Sequence, residues 1–485
     1  MAKKHIDEYF LDDEFQELLS KYENARKSGQ MPYLDADDLA DLAEYYWDIR
    51  EEDKAEEALK QNVRLHPDDI RVISQQIKIA LYKEDDIDKA KKLLKQISPY
   101  EQEYDAAYIR AEVALADSQP ESANKVLAQR LAIITDDKER ENFLLDAADL
   151  FEMYDYYDLS LQWLLKGKDL LKNSEEAKEM MARTLVKNGE YEKGKRLFNE
   201  LIDNDPYNSD YWYSLSMAQM WNGEIEDSIK SAEYAIAIDP EDDESMKLKA
   251  DALYEFGNYE EALKYYRKCQ ELAPENGGYD LMAATMLSLL NKPEEGLKEL
   301  QKAEQKAGYN ERLLAKVYPE LAMTYLKIGK KDKAEEYLNY FKNLREAQTP
   351  TGKVNVGHIL LGLDRVPEAA SFFIEAIQDG NEDIDLQMQV VASLMDNNYY
   401  QMAYEFLKDL LEGENGDKTV KKGYAALAIC CDELGKKDEF LKCIKISAET
   451  QPAETRSVLS EYFPEGMDPK DYYEYMYKKI KTDKA

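Results

Sequence analysis

The residue types that most readily do chemistry are few in this chain and widely scattered. There are three histidines, His5, His66 and His358, and none has a second histidine three or four residues along. The paired-histidine spacing of a zinc helix is therefore missing. His66 precedes Pro67 and reads as a solvated loop residue. The four cysteines, Cys269, Cys430, Cys431 and Cys443, make no C-x-x-C. They read as reduced thiols that pack as small apolar side chains. Cys431 and Cys443 are spaced to meet across a helical hairpin, with apolar packing as the simpler reading. No G-x-x-x-x-G-K-[ST] and no G-x-G-x-x-G occurs to cradle a phosphate. The stretch DGNEDID opens at Asp379 like a calcium loop, but Ile384 stands where that loop needs glycine and Val390 where it needs an acid. Carboxylate pairs such as Asp242–Asp243 are too frequent in so acidic a chain to single out an acid–base pair. The expectation is no catalytic residue, no metal ligand and no cofactor, hence not an enzyme.

The charge balance points the same way. The chain carries 64 Lys and Arg against 100 Asp and Glu, a formal net charge of −36. A field of that sign repels phosphate backbones and anionic bilayers, so neither nucleic acid nor membrane is expected as a partner. Most of these acids read as solvating exposed helix faces. No run approaches 18 apolar residues, and the opening MAKKHIDEYFLDDEFQELL lacks an apolar signal core. A cytoplasmic protein is expected.

What positions these side chains is a repeat. Pro206, Pro240 and Pro274 are each 34 residues apart. Gly189, Gly223 and Gly257 keep the same register, as do Ala182, Ser216 and Ala250, and Phe198, Ala232 and Tyr266. A fixed period of this size marks a solenoid. Within one unit, apolar residues recur at helical spacing up to the glycine, which ends the first helix because a left-handed position costs it no strain. A second helix follows and stops before the proline. Small residues at Ala250 and Ala262 let the two helices cross closely.

The pattern resembles the tetratricopeptide repeat, a helix–turn–helix of 34 residues. Trp212, Leu215, Gly223, Ala232, Ala235 and Pro240 stand at its Trp, Leu, turn-Gly, small and Pro positions. The next unit matches with Ala250, Gly257, Tyr259, Ala262, Tyr266 and Pro274. The resemblance implies an all-α fold, an α-α superhelix of about twelve helix-turn-helix repeats with terminal capping helices. It suggests a bacterial protein with many such repeats.

Extending the register gives an N-terminal capping helix within 1–35, with residues 6–28 as one amphipathic helix. An array over 36–344 follows, with units starting near 36, 71, 104, 141, 175, 209, 243, 277 and 315. A hinge is placed at 345–355, where Pro350 and Gly352 lie close together. Repeat-like units near 350, 384 and 421 fill 356–454, and a capping helix with Tyr472, Met476 and Ile480 on one stripe fills 455–485. Two steps exceed the period. The first excess is assigned to a longer turn at IITDDKERE, the second to a kink or late helix start at Pro319.

By resemblance to the family, positions 2, 5, 9, 12 and 13 of each first helix face the concave groove. In the unit at Ser209 these include Tyr213, Met217, Met220 and Trp221; in the next they include Lys247, Asp251, Tyr254 and Glu255. Near the N-terminus they are Asp37, Ala40, Glu44, Trp47 and Asp48, and His358 also falls on a first helix. Aromatic and Met side chains give broad contact area, and acids beside them select cations. The implied partner is a protein or peptide with basic and apolar residues. Positions 5 and 9 carry no Lys/Asn pair, so the family's carboxylate clamp is not expected. The alternative is a structural subunit or self-associating protein, with the basic terminal KKIKTDKA docking on an acidic neighbour.

Overall fold

Most first helices begin on a short polar side chain that accepts a backbone N–H, which satisfies a donor the helix cannot pair itself. Asp69, Asp136, Ser174, Asn208, Asp242, Asn276, Asn310, Thr349 and Asp383 all do this. From residue 70 onward, each turn into a second helix passes through one residue of positive φ. Gly189 and Gly223 serve at φ 80° and 79°; Asp85, Ser118, Asp155, Asn291, Asp364 and Asn398 take the same role elsewhere. Five of these are Asp or Asn and one is Ser at a position the period marks with glycine; Asp and Asn tolerate left-handed backbone through local hydrogen bonding. At one such turn Gly223 N–H donates to Met220 O (3.0 Å) and Glu224 N–H to Gln219 O (2.8 Å), closing the last carbonyls of the helix.

The computed structural model describes residues 8–28, 33–49, 51–98, 104–381, 383–412, 422–464 and 466–482. The chain forms two compact units, Met1–Asn258 and Tyr259–Ala485. The first unit holds α1 (Asp13–Ser28), α2 (Ala36–Asp48), α3 (Glu52–Leu65), α4 (Ile70–Tyr82), α5 (Ile87–Leu94), α6 (Tyr104–Ala116) and α7 (Pro120–Leu131). It continues with α8 (Asp137–Met153), α9 (Tyr157–Lys166), α10 (Glu175–Lys187), α11 (Tyr191–Asn204), α12 (Ser209–Trp221), α13 (Ile225–Ile238) and α14 (Asp243–Glu255). The second unit holds α15 (Tyr259–Leu272), α16 (Gly277–Leu289), α17 (Pro293–Ala307), α18 (Glu311–Lys327), α19 (Lys331–Lys342), α20 (Pro350–Gly362) and α21 (Val366–Asp379). It ends with α22 (Ile384–Asp396), α23 (Tyr400–Glu412), α24 (Tyr424–Glu433), α25 (Lys437–Thr450), α26 (Pro452–Val458) and α27 (Tyr472–Thr482). Among the described residues there is no strand. The fold is all-α, a solenoid of helical hairpins; within each unit the first helices pack on their own second helices and on neighbouring hairpins.

Small residues set the crossings. Ser216 and Ser228 are fully buried between α12 and α13, where Ser216 Oγ donates to Ser228 O (2.8 Å). At the end of the chain Tyr472 and Met476 are buried, and the Tyr472 ring stacks on Phe463 at 3.6 Å between centroids. At the start, Phe15 and Tyr22 of α1 are buried with Leu39, Leu42 and Tyr46 of α2.

Several expectations need correction. The excess residues near 141 do not lengthen a turn: α8 starts at Asp137 and runs 17 residues, about one turn beyond the 13 of α10 or α12. Pro319 does not give α18 a late start: the helix begins at Glu311 and carries the proline inside. Residues 8–28 are not one helix but a 3₁₀ turn, Glu8–Leu11, followed by α1. The segment at 345–355 forms a 3₁₀ turn, Arg345–Gln348, with Ala347 buried, and then the start of α20. His5, Lys421 and residues 483–485 lie outside the described residues.

Candidate functional site

The first helices of the N-terminal unit lie against one another: α2 on α4, α4 on α6, α6 on α8, α8 on α10, and α12 on α14. Their outer faces make a layer, and two cavities open on it. One, of about 260 Å³, lies between α4, α6 and α8, with Glu44 of α2 at its edge. The other, of about 360 Å³, lies between α8 and α10 and is lined by Asp146, Asp149, Glu176, Glu179 and Arg183.

The electrostatics of this layer are uneven. Arg71 is held by three carboxylates, Asp37 (3.3 Å), Glu44 (3.3 Å) and Asp41, so its charge is spent within the fold. Burial opposes its charge, but those carboxylates outweigh burial and hold it protonated. Glu152 is buried at the base of α8 and accepts from Arg183 Nε (2.7 Å), Lys187 Nζ (2.9 Å) and Thr184 Oγ1 (2.8 Å). Burial would raise its pKa; these three donors outweigh burial and hold it below the usual carboxylate range. Asp146 lacks such help. Burial, then Asp149 and Glu176, push it up to about 6. Burial likewise raises Asp149 and Glu179, against partial relief from Arg183. Carboxylates raised together in a concavity are poised to accept positive charge from outside.

Farther along the layer stand the residues singled out from the sequence. Tyr213 of α12 is half-buried, and its hydroxyl is raised first by burial and then by Glu244 of α14, with Lys247 opposing and Asp242 and Asp251 adding to it. Lys247 Nζ pairs with Asp251 Oδ2 at 2.9 Å. The hydrogen bond and charge of Asp251 outweigh burial and raise the Lys247 pKa. Met217 and Met220 are half-buried, Trp221 and Tyr254 are 45% and 39% exposed, and Glu255 is exposed. Tyr213 thus shares a neighbourhood with Lys247 and Asp251, and Trp221 and Tyr254 present aromatic surface near the C-terminal ends of their helices. Ala40 is fully buried and offers nothing to a ligand. His66 is half-buried and not simply solvated: its Nε2 lies 3.0 Å from Leu34 O. His358 Nδ1 lies 3.2 Å from Ser393 Oγ, and burial depresses its pKa. Cys431 and Cys443 are both buried in the α24–α25 hairpin, and a hydrogen bond between them lowers the Cys431 thiol. Among the described residues no group of His, Cys, Asp and Glu is placed to hold a metal ion, and no helix is long and apolar enough to cross a membrane.

The cavity residues were legible but unread. Positions 2 and 5 of the unit at Tyr104 are Asp105 and Tyr108, and positions 2, 5 and 9 of the unit at Glu175 are Glu176, Glu179 and Arg183. All line the two cavities. In α4 the helix starts one residue earlier than the period places it, which moves the facing positions to Arg71, Ser74 and Lys78.

The helix pairs, their glycine turns and their capped starts recur through residues 179–277, and residues 179–243 and 219–277 match a family model described as tetratricopeptide repeat. Residues 315–339 match a second model of the same description. Residues 179–277 and 315–339 are tetratricopeptide repeats. The repeat protein YpiA of Bacillus subtilis (strain 168) is similar to it, 24% identical over 405 residues, which cover 75% of this chain and 92% of that one. Among solved structures, yeast Tom70 is 16% identical at a TM-score of 0.43, covering 88% of this chain and 94% of that one. YrrB, titled a TPR protein with an unusual peptide-binding site, is 17% identical at a TM-score of 0.31, covering 41% of this chain and 96% of that one.

Proposed function

We propose that this tetratricopeptide-repeat protein is a non-catalytic interaction scaffold. It binds an extended protein segment carrying Lys or Arg with apolar or aromatic anchors, along the first-helix layer of its N-terminal unit. One observation carries the reading. The layer combines carboxylates that the fold leaves under-compensated, Asp146, Asp149 and Glu179, with the exposed aromatic surface of Trp221 and Tyr254. Aromatic anchors supply contact area and the acids select charge. The net charge of −36 supports a basic protein partner over nucleic acid or an anionic bilayer. Four buried cysteines, none in a disulfide, support a reducing compartment such as the cytoplasm.

The test is affinity capture from the native lysate with the full chain, beside a Tyr213→Ala/Trp221→Ala/Tyr254→Ala variant whose helical circular dichroism matches wild type. A protein retained by wild type and lost by the variant is the expected result. A protein retained equally by both would move binding off this layer. Capture of the chain by itself alone would favour a structural, self-associating role.

A further inference from the structure

A groove in the C-terminal unit is apolar where the equivalent positions of its other hairpins are polar. α15 and α17 pack along the first helices that follow them, whereas α21 touches α22 only sparsely. The space left between α21 and α23, about 150 Å³, is floored by Leu361 and Leu394 and walled by Ile377 and Phe406. Ile374 and Met402 also line it, 56% and 36% exposed. In the other second helices of this unit the ninth residue is Arg267, Gln301, Asn339, Lys408 or Lys445; in α21 it is Ile374. The third residue is Glu261, Glu295, Lys333, Glu368 or Glu439; in α23 it is Met402. Two positions that a solvated helix keeps polar are thus apolar, and both border one groove.

One rim of the groove is acidic. Glu405 and Asp409, three and seven residues beyond Met402, lie along the same side of α23 and are exposed. Glu405 accepts from Gln401 Nε2 (2.6 Å), and the one cation of α23, Lys408, pairs with Glu439 (3.4 Å). On α21, by contrast, Glu375 and Asp379 are held by Lys353 (3.1 and 2.6 Å). The groove therefore suits an apolar stripe with cations along one flank.

The chain itself carries such a stripe. α27 packs on α25 with Tyr472 and Met476 buried. A second stripe, Tyr473, Tyr477 and Ile480, runs beside them at i, i+4 and i+7. Tyr477 is 40% exposed and stacks on the half-buried Tyr473 at 6.0 Å between centroids. Lys478, Lys479 and Lys481 are exposed at this end of the helix, and Lys481 Nζ stands 4.5 Å from the Tyr477 ring centroid. In a chain of net charge −36, this is a basic helix with aromatic surface left open.

We infer that the groove between α21 and α23 receives α27 of a second copy of this chain, the Tyr477 side entering the groove and the lysines lying against Glu405 and Asp409. Each chain carries one groove and one such helix, so a two-fold pair satisfies both surfaces of both copies. This self-association is separate from the scaffold reading and uses none of its residues.

The test is sedimentation velocity on the full chain across protein concentration, at low and high salt. The wild type should pass from monomer to dimer as concentration rises, and added salt should weaken the dimer. Ile374→Gln/Met402→Glu installs what α17 carries at the same positions, Gln301 and Glu295, so the hairpins should hold, with helical circular dichroism as the check. That variant and Tyr477→Gln should each weaken association about tenfold or more. Glu405→Lys/Asp409→Lys and Lys479→Glu/Lys481→Glu should each weaken it, and the two reversals combined in one chain should restore it. A wild type that stays monomeric at about 100 μM overturns the inference. Association unchanged by the groove variant or by Tyr477→Gln also overturns it, as do charge reversals that fail to rescue one another. The first-helix layer of the N-terminal unit is untouched by these changes, so a failure here leaves the lysate capture and the scaffold reading standing.

Discussion

Two glycines occupy the same position in different hairpins, and the structure predicts opposite signs for the same substitution. Gly194 in α11 and Gly296 in α17 stand where each second helix crosses its first helix. Replacing a helical glycine by alanine gains about 1 kcal/mol from helix propensity alone. At Gly296 an added Cβ would sit 3.4 Å from Ala284 O and 3.6 Å from Leu287 Cβ, which is ordinary contact. Gly296→Ala should therefore stabilise its hairpin by about 1 kcal/mol. At Gly194 the same atom would sit 2.4 Å from Val186 Cγ2 and 2.9 Å from the Ala182 carbonyl oxygen. Side chains can turn away, but a backbone carbonyl moves only if the two helices part. Overpacking of this kind costs about 1–3 kcal/mol, so Gly194→Ala should lose about 1 kcal/mol net. Because neighbouring hairpins open semi-independently in a solenoid, hydrogen exchange is the sharper assay than a global melt. Protection in α10 and α11 should fall about fivefold in Gly194→Ala, and rise by a similar factor in α16 and α17 for Gly296→Ala. Adding Val186→Ala to Gly194→Ala should recover only part of the loss, since the Ala182 oxygen remains. Stabilisation by both single substitutions would refute the claim that close backbone approach sets the α10–α11 crossing.

Removing both cations from Glu152, as Arg183→Met/Lys187→Met, should cost about 3 kcal/mol in urea unfolding, because it strands a buried carboxylate. Glu152→Met should cost about 1 kcal/mol or less, since Arg183 and Lys187 are each about a third exposed and can turn to water. The reverse order would disprove the asymmetry. For pH, Asp146 is raised to about 6 from 3.8, so folding favours its protonated form. Its charge destabilises the fold fully above about pH 6, and that penalty disappears as pH falls toward 3.8. Asp149 and Glu176 face it with like charge, Tyr108 and Asp105 stand on α6, Lys78 on α4, and Arg183 on α10. Asp146→Asn should raise the unfolding midpoint at pH 7.5 and leave it unchanged at pH 4. A gain at both values would mean that packing, not charge, is responsible.

Helix phase was legible in the letters because geometry repeats it. Helices begin at Ser209, Asp243 and Gly277, at the spacing of Pro206, Pro240 and Pro274. A turn must recur wherever a hairpin of fixed length closes, so its glycine and its cap recur too. Where Asp85, Ser118 or Asn291 replaces the glycine, the letter changes while the left-handed backbone remains, and the period looks weak although the turn is intact. The longer helices depart from the expectation for a related reason: in α8 an extra turn adds residues without any breaker to mark them, and in α18 the breaker, Pro319, lies inside the helix and not at its start.

By itself the sequence determined a helical-hairpin repeat, its small-residue crossings, its caps and its acidity, because each depends on residues close in the chain. The tertiary structure alone decided which carboxylates are compensated. Glu152 and Asp146 lie on one helix six residues apart, and nothing local separates them. Across the α8–α10 contact the first meets Arg183, Lys187 and Thr184, while the second meets Glu176 and an open cavity. Charge acts through space, so the difference between a structural acid and one left to receive a partner's charge was set by residues some 30 positions away.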